Sequence, residues 1–311
     1  MQVKPLKVGK FALSNNVFLA PMAGYTDYAF RTTALKEGYS LAFTELVSAK
    51  VLCYGGNGSK DLLLSCGNYD KTAVQLFGSD PYFMRKACEL DELKDFNIVD
   101  INMGCPVPKV FKNGEGSALL TDIVKAENVI KACVKSGKTI TVKIRTGQKK
   151  GDDIGADFAK MAENAGASLI TIHGRVREAY YSGEVDFSAI EKAKKSVNIP
   201  VIANGGIFTK DDADEIMDKT GADGVMLARG GIQNPFLVSE LLGKTPTKTL
   251  KEFIKEQLLL MLDTYGERSA VEFRKFIPYY FKGRERFKEE RLKLLSLNTI
   301  SEVLSEIEKI D

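Results

Sequence analysis

The 311-residue chain predicts an α/β fold, a (β/α)8 TIM barrel with a C-terminal all-helical domain, divided into residues 1–243 and 244–311. Three observations carry this. Short apolar, β-rich runs recur at Val17–Ala20, Leu41–Glu45, Ala73–Phe77, Ile98–Asn102, Thr139–Arg145, Leu169–His173, Pro200–Asn204 and Gly224–Ala228. Helix-like stretches separate most of them, among them Ile123–Lys135, Asp153–Ala165, Asp186–Lys195 and Asp211–Lys219. Gly-Gly pairs follow the last two runs, whereas Pro21-Met-Ala-Gly-Tyr-Thr-Asp27 follows the first. A doubly wound sheet carries its phosphate-binding glycines after the first strand, so the order of these segments favours the barrel.

Past Gly243 the strand signals stop. Lys244-Thr-Pro-Thr-Lys-Thr249 reads as a linker into an N-capped helix, and helical periodicity runs over Leu250–Tyr265 and again over Glu285–Ile310. Between Glu272 and Lys293 stand eight Lys/Arg and four Asp/Glu, interleaved with Phe273, Phe276, Tyr279, Tyr280, Phe281 and Phe287. Two readings stay open: a helical cap with core aromatics, or a basic, aromatic-bearing surface for RNA phosphates and unstacked bases.

The composition, 44% hydrophobic and 27% charged, excludes disordered and low-complexity classes. No apolar run is long enough for a bilayer, and the N-terminus lacks a secretory core, so no membrane association is expected. Five cysteines (Cys53, Cys66, Cys88, Cys105, Cys133) without a CxxC pair argue against a disulfide framework or thiolate zinc site and for a reducing cytoplasm. A single histidine argues against a Ser-His-Asp triad or a multi-histidine metal site, and no metal is expected. Net charge of +3 neither demands nor excludes nucleic acid, and nothing signals an obligate protein partner, so a monomer is expected.

Barrel chemistry sits at the C-terminal ends of strands. Strand one ends in Pro21-Met22-Ala23-Gly24, small groups that let a flat ring lie close to backbone. Gln75 offers an amide that both donates and accepts. Lys143 points inward from strand five and needs an anion, either a reduced flavin edge or a carboxylate such as Glu45 or Asp100. His173 ends strand six, while Asn204-Gly205-Gly206 and Ala228-Arg229-Gly230-Gly231 form glycine-rich turns suited to a phosphate. Cys105, in Asn102-Met-Gly-Cys-Pro106, opens a Pro- and Gly-punctuated segment that points to an ordered but movable lid. Cys88 and Cys133 fall in helical patterns and read as core.

With these segments assembled, the chain resembles the tRNA-dihydrouridine synthases, FMN enzymes of the barrel class. The carrying motifs are Pro21–Arg31, Asn102–Val110 with Gly114–Leu120, Val142–Gly147, His173–Asp186 and Ile199–Ile207. The resemblance implies FMN stacked on Pro21, Met22 and Ala23. It implies Gln75, Lys143 and His173 at the isoalloxazine, and Asn204, Gly205, Gly206, Ala228 and Arg229 at the phosphate. Ala228 and Gly206 depart from residues common in the family at those positions.

Cys105 is implied as the proton donor and Asn102 as a holder of the uracil edge. Arg145, Arg175 and Arg177 would face the nucleotide, and Arg274, Arg284 and Arg286 would grip the tRNA body. The implied reaction reduces tRNA uridine, with hydride from FMN to C6 and a proton from the neutral Cys105 thiol to C5. NADPH would reduce the flavin beforehand. Two competing functions remain: a dihydroorotate-dehydrogenase-like enzyme on a free pyrimidine, and a non-catalytic tRNA-binding protein on a relic barrel.

Overall fold

A computed structural model describes residues 1–56, 61–64 and 71–310. Cys66 lies outside the described residues. The chain opens with an antiparallel hairpin, β1 (Leu6–Val8) and β2 (Phe11–Leu13). Eight parallel strands then close a barrel: β3 (Val17–Leu19), β4 (Leu41–Ser48), β5 (Thr72–Phe77), β6 (Ile98–Met103), β7 (Thr139–Arg145), β8 (Leu169–His173), β9 (Val201–Asn204) and β10 (Gly224–Leu227), with β10 pairing β3. All eight predicted runs become these strands. The hairpin was not anticipated, because three-residue strands give too short a pattern to read.

Strand alternation sorts side chains into two environments. Outward residues such as Val99, Ile101, Val142, Ile144, Ile170 and Ile172 join one large core with the surrounding helices. Inward residues near the strand starts, including Phe18, Leu41, Phe43, Ala73, Ile98, Leu169, Ile202 and Met226, form a second cluster with Leu6, Val8 and Leu13. The hairpin therefore plugs the N-terminal end of the barrel. Gly9 sits there with φ +57, and a Cβ on it would come within 2.8 Å of Thr139. Climbing β6 from this apolar floor, the inward series continues with Asp100 and then Asn102. β7 likewise runs through Thr141 and Lys143, and β8 through Thr171 to His173.

The predicted helices appear at Ile123–Val134, Gly155–Asn164, Phe187–Ser196 and Lys210–Thr220, and Cys88 and Cys133 are buried in the helical layer. The tail forms helices Leu250–Tyr265, Ser269–Phe273, Ile277–Tyr280, Lys288–Leu294 and Ile300–Ile307. The first starts at Thr249, whose side chain and Glu252 form a capping box. The predicted helix over 285–310 is broken at Ser296–Asn298, before a second capping box at Thr299 and Glu302.

The tail's aromatics decide between the two readings given above. Phe273, Phe276, Tyr280, Phe281 and Phe287 are buried, with Phe276 on Phe30 and Tyr280 on Phe253, so they are core and not a base-stacking surface. These rings add to the apolar payload that the tail's leucines and isoleucines also bring to the core. Only Tyr279 of the six remains partly exposed. Among the described residues no helix is long and apolar enough to cross a membrane.

Candidate active site

A cavity of about 420 Å³ opens at the C-terminal ends of the strands. Most of the predicted site residues line it: Pro21, Met22, Ala23, Gln75, Asn102, Cys105, Lys143, Arg145, His173, Arg175, Asn204, Gly205, Gly206, Ala228 and Arg229 are all on its wall. Arg177 is not. It stands in a short 3-10 turn with its guanidinium 3.9 Å over the Phe111 ring, joining the β8 loop to the segment after Cys105. Here it makes a cation–π contact between loops and does not reach the cavity wall.

Register builds the polar wall. Asn102 lies beside Lys143, and His173 lies beside both Arg145 and Asn204. Lys143 Nζ donates to Asn204 Oδ1 at 2.9 Å, and Asn204 Nδ2 donates to Met226 O at 2.8 Å. The lysine thus meets neither carboxylate directly. Burial and Arg145 pull its pKa down to about 8, against the opposing pull of Asp100. It remains largely a cation at neutral pH.

His173 is held neutral. Burial first, then the cations Lys143, Arg145, Arg175 and Arg229, push its pKa well below the usual histidine range. Arg175 Nη1 lies 3.3 Å from His173 Nε2, and since the guanidinium can only donate, Nε2 accepts. Gly205 explains its own identity: its φ is +111, and a Cβ would lie 2.6 Å from the His173 ring.

Cys105 is 8% exposed, and burial raises its thiol above the ordinary 9.0, despite a backbone hydrogen bond at Val107 and the nearby Arg145. The thiol is protonated at neutral pH. Its backbone is seated from both sides. Its N–H donates to Asn102 Oδ1 at 3.0 Å, and its carbonyl accepts from Ser117 Oγ at 2.8 Å and Ser117 N at 3.1 Å. Gly116, at φ +61, packs so close that a Cβ would lie 3.1 Å from the Cys105 Cβ.

The expected lid is ordered along its length. It forms a helix at Pro108–Lys112 and a 3-10 turn at Gly116–Thr121, and Gln148 further ties Ser117 down. Arg145 is nearly fully buried, at 2% exposure. It donates to the carbonyls of Gly104 (2.8 Å), Val176 (3.0 Å) and Tyr180 (2.7 Å), so its main contacts brace the two loops.

Four aromatic wall residues were not anticipated: Tyr25, Tyr181, Phe208 and Tyr279. Tyr181 stacks on His173 at 6.4 Å between centroids and lies under the guanidinium of Arg229 at 5.0 Å. The Tyr180-Tyr181 pair within the His173–Asp186 motif was the available signal. Tyr279 reaches the wall from the C-terminal helices, which no local pattern reveals. In the tail, Arg274 donates to Leu297 O at 2.7 Å and Asn298 Oδ1 at 2.8 Å. These bonds tie it within the tail, whereas Arg284 and Arg286 are exposed.

A closed eight-stranded barrel with a cation-rich cavity around a protonated thiol defines a barrel enzyme. The chain matches the dihydrouridine synthase (Dus) family over residues 18–309. It belongs to that family. It is 32% identical over 314 residues to tRNA-dihydrouridine synthase B of Shewanella oneidensis, covering 97% of each chain. It is 36% identical over 317 residues to a probable tRNA-dihydrouridine synthase of Rickettsia conorii, covering 98% of this chain and 95% of the relative. Among solved structures, an old yellow enzyme homologue from Zymomonas mobilis shares the barrel fold. It aligns with a TM-score of 0.54 and 13% identity over 80% of this chain and 95% of its own.

Proposed function

We propose that this protein reduces the C5–C6 double bond of specific uridines in tRNA to dihydrouridine, with FMN as bound cofactor and NADPH as reductant. The observation that carries this reading is the meeting of a protonated Cys105 with Lys143 and neutral His173 in one cavity of a dihydrouridine synthase family chain. The residues fit a flavin. The cavity volume lies within the usual small-ligand range of about 300–1,000 Å³. Gly205 and Gly206, at φ +111 and +74, leave a side-chain-free backbone surface, and Arg229 stands at the adjoining turn.

In this reading Pro21, Met22 and Ala23 bear the isoalloxazine face, and Gln75, Lys143 and His173 meet its polar edge. Asn204, Gly205, Gly206, Ala228 and Arg229 receive the phosphate. Held by these residues and reduced, FMN would supply a hydride for uracil C6. Charge then builds at C5 and O4, and Cys105 Sγ delivers its proton to C5. The raised thiol pKa suits an acid and not a thiolate nucleophile. Asn102 and Arg175 face the nucleotide, and Arg145 keeps the Cys105 loop against it. A uridine in folded tRNA must be drawn out of its stack to reach this depth. Residues 1–243 then act as the catalytic barrel, and residues 244–311, through Arg284, Arg286 and Tyr279, as the part that holds tRNA at the mouth.

Substrate choice tests the reading. FMN-loaded protein should oxidise NADPH in a tRNA-dependent manner and leave free uridine and dihydroorotate unchanged. Turnover of dihydroorotate without any on tRNA would instead support the free-pyrimidine alternative, and tRNA binding with no FMN uptake the non-catalytic one.

A further inference from the structure

Beneath the cavity runs a continuous chain of buried side-chain hydrogen bonds. Thr141 Oγ1 donates to Asp100 Oδ1 at 2.5 Å, and Gln75 Nε2 donates to Asp100 Oδ2 at 2.6 Å. Asn102 Nδ2 donates to Gln75 Oε1 at 2.9 Å. Asn102 Oδ1 in turn accepts from Cys105 N at 3.0 Å and Gly104 N at 3.3 Å. Strand register places Asp100 between Gln75 and Thr141, one inward layer below Asn102, and Asp100, Gln75 and Thr141 have no exposed surface.

We propose that Asp100 is a positioning residue: its acceptor-only carboxylate fixes which way the Gln75 and Asn102 amides face and, through Asn102, the seat of Cys105. An amide can present oxygen or nitrogen on either side, and a carboxylate cannot. Because Asp100 only accepts, Gln75 must turn its nitrogen downward and its oxygen toward Asn102. Asn102 must then turn its nitrogen toward Gln75 and its oxygen toward the loop. Reversing any link sets two donors or two acceptors face to face in a buried site, where an unmet polar group is costly. The same polarity leaves each NH2 with a second N–H on residues that line the cavity. On the function proposed above, and only there, these become the donors offered to the carbonyl edges of flavin and uracil.

Thr141 makes the idea testable, because a hydroxyl can also accept. In Asp100→Asn the new NH2 can turn to Thr141 and leave the carboxamide oxygen to Gln75, so the relay survives. In Asp100→Asn with Thr141→Val, that acceptor is gone. The relay then reverses and moves the unmet donors to the backbone N–H groups of Gly104 and Cys105, nearest the cavity. Adding Gln75→Glu restores an acceptor at the next link and returns the buried negative charge.

The experiment is amide-resolved hydrogen exchange at Gly104 and Cys105 on the full chain without FMN or tRNA. Each single variant at 100 or 141 should stay within about twofold of wild type, the double variant should exchange about tenfold faster, and the triple variant should return to the wild-type rate. A double variant that matches wild type, additive losses in the two singles, or a triple variant without recovery would each overturn the proposal. If the double variant fails to fold, the single variants and the triple variant still decide it. The exchange pattern is read apart from turnover, so a protein that shows it yet never reduces tRNA would overturn the proposed activity and leave the relay standing.

Discussion

Tyr25, in the loop after β3, and Tyr279, in the C-terminal helix Ile277–Tyr280, meet edge to face at the cavity mouth, with ring centroids 5.4 Å apart and planes at 80°. Burial and this neighbour push the Tyr25 phenol up to about 12. The pair joins the barrel's first loop to the tail where both line one wall. Replacing Tyr279 by Ala should cost about 0.5–1.5 kcal/mol of stability, measured by denaturant midpoint, while Phe should cost much less. On the proposed function, Ala should also lower kcat/KM for tRNA more than Phe does.

Cys105→Ala should retain FMN and tRNA binding and lose about 10²–10⁴-fold in single-turnover reduction of tRNA, since it removes only the proton donor. Because the wild-type thiol lies above its ordinary 9.0, the proton is present throughout the neutral range and is withdrawn only as pH rises past that value. The rate of the chemical step should therefore show no thiol-linked loss near pH 7. An unchanged rate in the Ala variant would remove Cys105 from the acid role.

Lys143 sets a second pH dependence. With a pKa lowered to about 8, it is a cation below that pH and is neutralised as pH rises through it. Attraction for an anionic flavin is therefore full on the acid side and weakens on the alkaline side, and a bound anion draws the midpoint upward. Fluorescence titrations should show FMN affinity falling from about pH 7 to about pH 9 in wild type and a flatter profile in Lys143→Gln.

Gly205→Ala would place a Cβ 2.6 Å from the His173 ring at a φ of +111. A cost of about 1–3 kcal/mol is expected, together with weaker FMN binding. Thermal unfolding with and without FMN separates the two effects.

Charge reversal at Arg284 and Arg286 should weaken tRNA binding more at low than at high salt, because phosphate contacts act through counterion release. A loss that ignores salt would instead report a folding defect in the tail.

Much of the site was legible because barrel strands announce their ends. Lys143, His173 and Asn204 each close an apolar run and alternation turns them inward together, while Cys105 follows one in the loop beyond β6. Asp100 was visible only as a carboxylate somewhere near Lys143. Its bond to Gln75 depends on β5–β6 register, which no single strand's pattern encodes. Arg177 reads like its neighbour Arg175 in sequence, yet the 3-10 turn at Arg177–Ala179 carries it onto Phe111. The tail's rings left two readings open for a different reason. In short helices joined by turns, aromatic spacing does not separate a buried face from an exposed one.

The most direct test is nucleoside mass analysis of unmodified tRNA incubated with the FMN-supplemented protein and NADPH. The account predicts that a uridine gains the mass of two hydrogens, and that the gain is absent with Cys105→Ala. A bound flavin that NADPH reduces, with no uridine changed in mass, would contradict it.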